Sequence, residues 1–226
     1  MADEQSALSG GGKAGAILRR IDWSATSIGN PKAWPEALRI SLRIILTTNH
    51  PMLIWWGGEL IQFYNDGFSA IARNLSRTHG LGASGEKYWR ERWKIIGPDV
   101  QYVMHGKGGI CREHQLMTSG VDGESPQQYW TYSLSPVIER NNEVGGVLFV
   151  CQDETKEIRE KLALQARGAD LARVQQIGRV GGLEVKLTSG FRNQRSPEYL
   201  MIHGLPPAAA NETHENWVGR IHPEDR

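Results

Sequence analysis

The chain has 226 residues, room for one generous domain or two small ones, and its 39% hydrophobic and 23% charged residues belong to a folded rather than a disordered protein. Its 26 basic and 25 acidic side chains leave a net charge of +1, so no global field draws it to nucleic acid or an anionic membrane. Two isolated cysteines, Cys111 and Cys151, make no disulfide framework, the acidic polar start at 1–5 has no signal-peptide pattern, and no apolar run approaches the ~18 residues that span a bilayer. A cytoplasmic protein is expected, in which the Asn-x-Ser/Thr triplets at Asn74 and Asn211 carry no glycosylation meaning.

Residues 1–15 are small and polar, with Gly10-Gly11-Gly12, and read as a disordered tail. Trp34-Pro35 opens a helix with Leu38, Leu42, Ile45 and Leu46 on one face, Pro35 falling in its first turn and Asn49-His50-Pro51 ending it. Residues 52–56 and 59–64 read as two strands joined by a two-residue Gly57-Gly58 turn. Asn65-Asp66 then caps a helix over about 67–73. After a Gly- and Ser-bearing stretch at 74–85, a helical turn over 86–93 puts Trp89 and Trp93 on one face, and Pro98 starts a further helix ended by Gly106. Strands follow at 111–118, 127–139 and 144–152, the last two joined by Asn141-Asn142.

Two strands, a helical middle and three strands make an α+β domain: a five-stranded antiparallel sheet with helices on one side. Asp153 or Thr155 caps the next helix, about 156–177, whose Leu164, Leu171 and Val174 form a heptad-like seam interrupted by Arg167. Gly178 to Gly182 breaks the pattern and an alternating strand at 183–187 begins another unit. The 49 residues from Gly178 onward are few for an independent core, and the chain stops as if interrupted.

Catalytic and metal chemistry find little footing. There is no His-Glu-x-x-His and no Gly-x-Ser-x-Gly, and Gly106-Lys107-Gly108-Gly109 lacks the spacing of a phosphate-binding loop. Cys111 and His114 stand three apart on a predicted strand, which sends them to opposite faces, so with His105 they do not converge on a metal. The aromatic set is more informative. Trp55 and Trp56 are adjacent on one strand, so one packs inside and the other needs a cover; Trp130 and Tyr132 share one face, Tyr129 and Thr131 the other. Trp56, Tyr64, Trp89, Trp93, Tyr102, Trp130 and Tyr132 are the candidates to line a small-molecule pocket; the plainer alternative is that they are structural core, the usual meaning of aromatics at strand spacing.

Taken in order, Trp34-Pro-Glu-Ala-Leu, Pro51-Met52, Trp55-Trp56-Gly57, Tyr64-Asn65-Asp66, Trp89 to Trp93 and Ile96-Gly97-Pro98 resemble the N-terminal PAS domains of bacterial sensor kinases. Tyr132-Ser133-Leu134-Ser135-Pro136, Gly145-Gly146-Val147 and Asp153-Glu154-Thr155, placed like the PAS Asp-x-Thr exit motif, continue the likeness over about residues 17–155. Gly181-Gly182-Leu183-Glu184-Val185, Ser196-Pro197-Glu198-Tyr199 and Trp217 through His222-Pro223-Glu224-Asp225-Arg226 are similar to the opening of a second PAS domain without its last three strands.

The resemblance implies a PAS fold at 16–155, a helical linker at 156–178 and a truncated second PAS domain at 179–226. It implies signal sensing and homodimerisation ahead of a histidine kinase domain, often of the HWE type, with Asp153 and Thr155 relaying the signal into the following helix. No catalysis is expected of these residues themselves, no cofactor is required, and a small-molecule ligand is open. The alternatives are a ligand-free dimerisation module, the sensor part of a cyclic-di-GMP enzyme, and a haem-binding gas or redox sensor. For haem, His105 ends the helix that carries the axial histidine in haem-binding relatives. Flavin photochemistry is disfavoured, because Asn74-Leu75-Ser76-Arg77 lacks the reactive Cys of the light-sensing relatives.

Overall fold

The computed structural model describes residues 8–72, 80–117, 127–186 and 192–225. Residues 1–7 of the expected tail, the Asn74-Leu75-Ser76-Arg77 run, Thr118, Leu187 and Arg226 lie outside them. The chain forms two compact units, Met1–Ile158 and Arg159–Arg226.

In the first unit, α1 (Gly12–Leu18) and α2 (Glu36–Thr47) precede a hairpin of β1 (Met52–Trp56) and β2 (Ile61–Tyr64). Helices α3 (Asp66–Ala72), α4 (Gly85–Trp89) and α5 (Trp93–Met104) follow, then strands β3 (Ile110–Met117), β4 (Gln128–Ile138) and β5 (Val144–Asp153). The five strands form one sheet in the order β2-β1-β5-β4-β3, every pair antiparallel. The central β5 comes last in sequence, so the sheet closes only when the end of the unit inserts beside its beginning.

Register assigns the faces. Leu53 pairs with Phe149 and Trp55 with Val147, and across β4 Tyr132 pairs with Cys151 and Leu134 with Phe149. These side chains share the inner face, on which α5 contacts β3, β4 and β5. Ile54, Trp56 and Phe63 take the outer face, against α2, whose Leu38, Leu42, Ile45 and Leu46 are buried. Trp23, Trp34 and Phe63 pack ring to ring there at 5.0–5.5 Å. Burial of each large aromatic is worth about 1.5–3 kcal/mol, so this second core holds the N-terminal segment down.

Several boundaries differ from the sequence expectation for local reasons. The tail ends earlier than residue 15: Leu8 is buried, Arg19 Nη1 donates to the Leu8 and Gly10 carbonyls, and the Lys13 and Ala14 amides donate to the Asp66 carboxylate. Asp66 therefore caps α1, while Asn65 caps α3 by accepting from Phe68 N at 2.9 Å. The hairpin turn spans four residues, not two, because Trp56 pairs with Ile61 and Gly57 and Leu60 both take positive φ. Pro98 lies inside α5 instead of starting it.

The second unit is described by itself. Helix α6 (Thr155–Gly178) enters it from the first. Strands β6 (Leu183–Lys186), β7 (Arg192–Arg195) and β8 (Asn211–Glu212) pair in that order, with α7 (Pro197–Ile202) between β7 and β8 and α8 (His214–Val218) after them. Ser196 caps α7 through Tyr199 N and also accepts from Gly182 N, which ties the helix start to the approach to β6.

Candidate functional site

The inner face of the first sheet is an aromatic interior. Trp55 contacts Trp89, Trp93 and Phe149 at 5.3–5.7 Å between ring centres, Phe68 contacts Trp89, Trp130 and Phe149 at 6.0–6.4 Å, and Tyr132 meets Phe149 at 5.4 Å. Two glycines make the room. A Cβ on Gly85 would lie 2.3 Å from Trp55 Nε1, and one on Gly97 would lie 2.7 Å from Trp93 Nε1. The indole N–H groups of Trp55 and Trp130 are buried without a hydrogen-bond partner, whereas Trp89 Nε1 donates to Gln62 Oε1 at 3.1 Å.

A polar rim surrounds the rings. Gln62 is buried and also donates to the Gly80 carbonyl at 2.7 Å. Tyr64 accepts from Gly80 N, and burial, with Tyr88 beside it, pushes its hydroxyl up to about 12. Asp99 on α5 receives both Nε and Nη2 of Arg112 from β3, at 2.9 and 2.8 Å, and the Tyr132 hydroxyl at 3.0 Å. The hydrogen bond from Arg112 leads the causes that hold the Asp99 carboxyl below the usual carboxylate range; burial opposes it. Burial, then Asp99, pushes the Tyr132 hydroxyl up, so both tyrosines stay neutral. Arg92 is buried, donates to Gln128 Oε1 at 2.7 Å and faces the charge of Asp153; burial lowers its proton affinity and Asp153 restores part of it. Burial likewise keeps Cys151 a thiol, which disqualifies it as a nucleophile at neutral pH.

The exit of the sheet is a closed set of hydrogen bonds. Asp153 Oδ1 accepts from Thr155 N at 3.0 Å and from the Thr155 hydroxyl. Thr155 Oγ1 accepts in turn from Tyr129 N at 2.9 Å, and Glu154 N donates to the Tyr129 carbonyl at 2.8 Å. The side chain of Glu154 faces the outer side, where Oε2 meets the Thr131 hydroxyl and His114 Nδ1, both at 2.7 Å. Those two contacts, Thr131 first, lower the Glu154 carboxyl against the opposing effect of desolvation. The start of α6 is thus fastened to β4 through the backbone and to β3 through a side chain.

Of the sequence candidates, Tyr64, Trp89, Trp93, Trp130 and Tyr132 come together at the interior. Trp56 does not: it stands on the opposite face from Trp55, laid against Gly145 and Gly146, where added Cβ atoms would lie 2.8 and 2.5 Å from its ring. Tyr102 is on the outside of α5, 43% exposed, with Lys107 Nζ 5.6 Å from its ring centre. His105 is exposed at the C-terminal end of α5 and its Nδ1 lies 2.6 Å from the Gln101 carbonyl of its own helix, which turns the ring away from any group enclosed behind the sheet.

The face assigned to His114 is also corrected. Arg112 pairs with Tyr132 and Gln115 with Trp130, so Glu113 and His114 together oppose Thr131 in a β-bulge, with His114 at φ 51°. The bulge puts Cys111 and His114 on one face. Even so, no three His, Cys, Asp or Glu side chains among the described residues are placed to hold a metal. Sequence reasoning missed Asp99, Arg112, Arg92, Gln128 and Glu154. The only available signal was charge inside apolar helices and strands, such as Asp99 between Pro98 and Val100.

The strand order and the helices crossing one face settle the architecture. The fold of the first unit is PAS-like. No protein-family model matches the chain, and no curated protein matches its sequence. Solved structures similar to it include the PAS domain of a protein from Colwellia psychrerythraea (15% identity, 54% of this chain and 99% of that one, TM-score 0.39). They also include the PAS domain of BvgS from Bordetella pertussis (16% identity, 58% and 99%, TM-score 0.36). A third is a sensory box sensor histidine kinase from Vibrio cholerae (9% identity, 50% and 86%, TM-score 0.34). No helix among the described residues is long and apolar enough to cross a membrane.

Proposed function

We propose that the first unit is the signal-sensing and dimerisation region of a bacterial signalling protein, with a histidine kinase domain as its output, and that it relays a change in the packing of its interior to α6. One observation carries the reading: β5, which holds Phe149 and Cys151 in the interior, runs directly into Asp153, whose carboxylate caps α6 while Thr155 bonds β4. A shift of β5 against β4 therefore pulls on the first turn of the helix. Beyond that turn Leu164, Leu171 and Val174 are exposed, a seam that suits pairing with the same helix of a second copy. A second unit with the same local order supports a tandem arrangement. In each, a hairpin leads into a helix capped by Asn65 or Ser196, and a tryptophan, Trp89 or Trp217, follows in a short helix.

The relay is tested with Asp153→Ala in the full-length protein. The ratio of stimulated to unstimulated output falls toward one if the joint transmits the signal; an unchanged ratio removes this mechanism. Ring-to-ring packing inside favours a second reading, a dimerisation module without a ligand, in which output depends on the dimer alone and added small molecules leave the melting temperature unmoved.

A further inference from the structure

The second unit carries charge where the first carries rings. Counting back from the capping residue of each helix, Arg195 stands where Tyr64 stands and Asn193 where Gln62 stands: the last residue of the second hairpin strand, and the residue two before it. In the first unit the two corresponding groups are satisfied, Gln62 by Trp89 and Gly80, Tyr64 by Gly80. In the second they are not.

The Arg195 side chain has no exposed surface. Its Nη1 donates to Glu212 Oε2 and to the Ala209 carbonyl, both at 2.7 Å, while Nε and Nη2 have no hydrogen-bond partner. Those two nitrogens form one side of the guanidinium fork, the side that takes a carboxylate through two parallel bonds. Arg112 uses the same pair of atoms on Asp99 in the first unit. Asn193 is 2% exposed, on the same face of β7, and its Oδ1 is buried and also without a partner. Glu212 does not neutralise the cluster, because Arg220 bonds it too: two guanidiniums face one carboxylate, a local sum of +1.

Leaving two donors of a buried cation unpaired costs more than leaving a neutral group so, and the cost is relieved by an acceptor that matches the fork. The only described carboxylate bonded to Arg195 is already spent on Nη1. The undescribed stretch 187–191 reads Leu-Thr-Ser-Gly-Phe and contains no acid.

We propose that the second unit holds a carboxylate-recognition site, in which the Nε–Nη2 side of Arg195 takes the carboxylate and Asn193 Oδ1 accepts from a donor on the same ligand. The carboxylate comes from a free small molecule or from an acidic side chain of a second copy. The fork is enclosed, so a carboxylate bound there meets the charge in a weakly screened setting. The site does not depend on the relay at the end of β5, so either stands if the other fails.

The test is ¹⁵N NMR of the whole chain, with the Arg195 Nε–H signal assigned by its loss in Arg195→Lys. Sodium succinate is titrated against sodium chloride at equal ionic strength. A saturable shift of that signal with succinate alone, weakened about tenfold or more for the Asn193 and backbone signals around it in Arg195→Lys, assigns a free carboxylate. Glu212→Gln, which removes the competing charge, is expected to tighten succinate binding. A signal that ignores succinate but moves on dilution of the protein assigns the carboxylate to a second copy. An Nε–H signal that responds to neither titration, whether or not it exchanges freely with water, overturns the proposal.

Discussion

Replacing Asp153 with alanine removes the acceptor of two bonds at the start of α6, Thr155 N and the Thr155 hydroxyl, and the carboxylate that faces buried Arg92. Loss of a helix cap costs about 1 kcal/mol. Loss of the Asp153 charge, which favours the protonated form of buried Arg92, adds about 1–2 kcal/mol. The sum, about 2–3 kcal/mol, lowers the melting temperature of a unit of this size by about 5–10 °C. Asp153→Asn keeps the oxygen that Thr155 uses and loses only the charge, so it costs about half as much. Melting followed by tryptophan fluorescence gives the totals, and hydrogen exchange over residues 156–160 reports the cap alone. Equal losses for alanine and asparagine, with unchanged exchange in that turn, would refute the argument that Oδ1 holds the joint.

The other expectations are local. Asp99 has its carboxyl lowered in the folded state, so its contribution is complete above about pH 4 and is lost as pH falls below that value. Asp99→Asn should therefore be less stable at neutral pH yet flatter with pH below about 4, as measured by denaturant unfolding; a parallel loss in both proteins contradicts it. Gly85→Ala puts a methyl group 2.3 Å from Trp55 Nε1 and should cost about 1–3 kcal/mol, with a shift in tryptophan emission. Tyr102→Ala, on the exposed side of α5, should change stability by less than about 0.5 kcal/mol, and a larger loss would return Tyr102 to the interior.

Strands were the most legible part of the sequence. The run 52–56 matches β1, and 127–139 and 144–152 match β4 and β5 to within a residue: β1 is an apolar run buried on both faces, and β4 alternates buried and half-buried positions along its first half. Faces were harder. Parity alone separated Trp55 from Trp56, but Trp56 lies against Gly145-Gly146, which are distant in sequence. Parity failed for Cys111 and His114 because a bulge adds a residue, and His114 at positive φ carries no residue-type signal as glycine would. The exit motif was readable through Asp153 and Thr155, yet Glu154, which reaches Thr131 and His114, looked like a spacer. Buried ions such as Asp99 and Arg195 are invisible by composition, since each is tolerated only for a partner that the fold supplies.

The claim that the interior is mechanically joined to α6 is tested most directly by a double-mutant experiment on hydrogen exchange. Phe149→Leu disturbs the rings around Trp55, Trp89 and Tyr132 without touching the joint. Exchange over residues 156–160 should rise in Phe149→Leu alone, and the rise should vanish when Asp153→Ala has already released the helix. The same increment in both backgrounds would contradict the account.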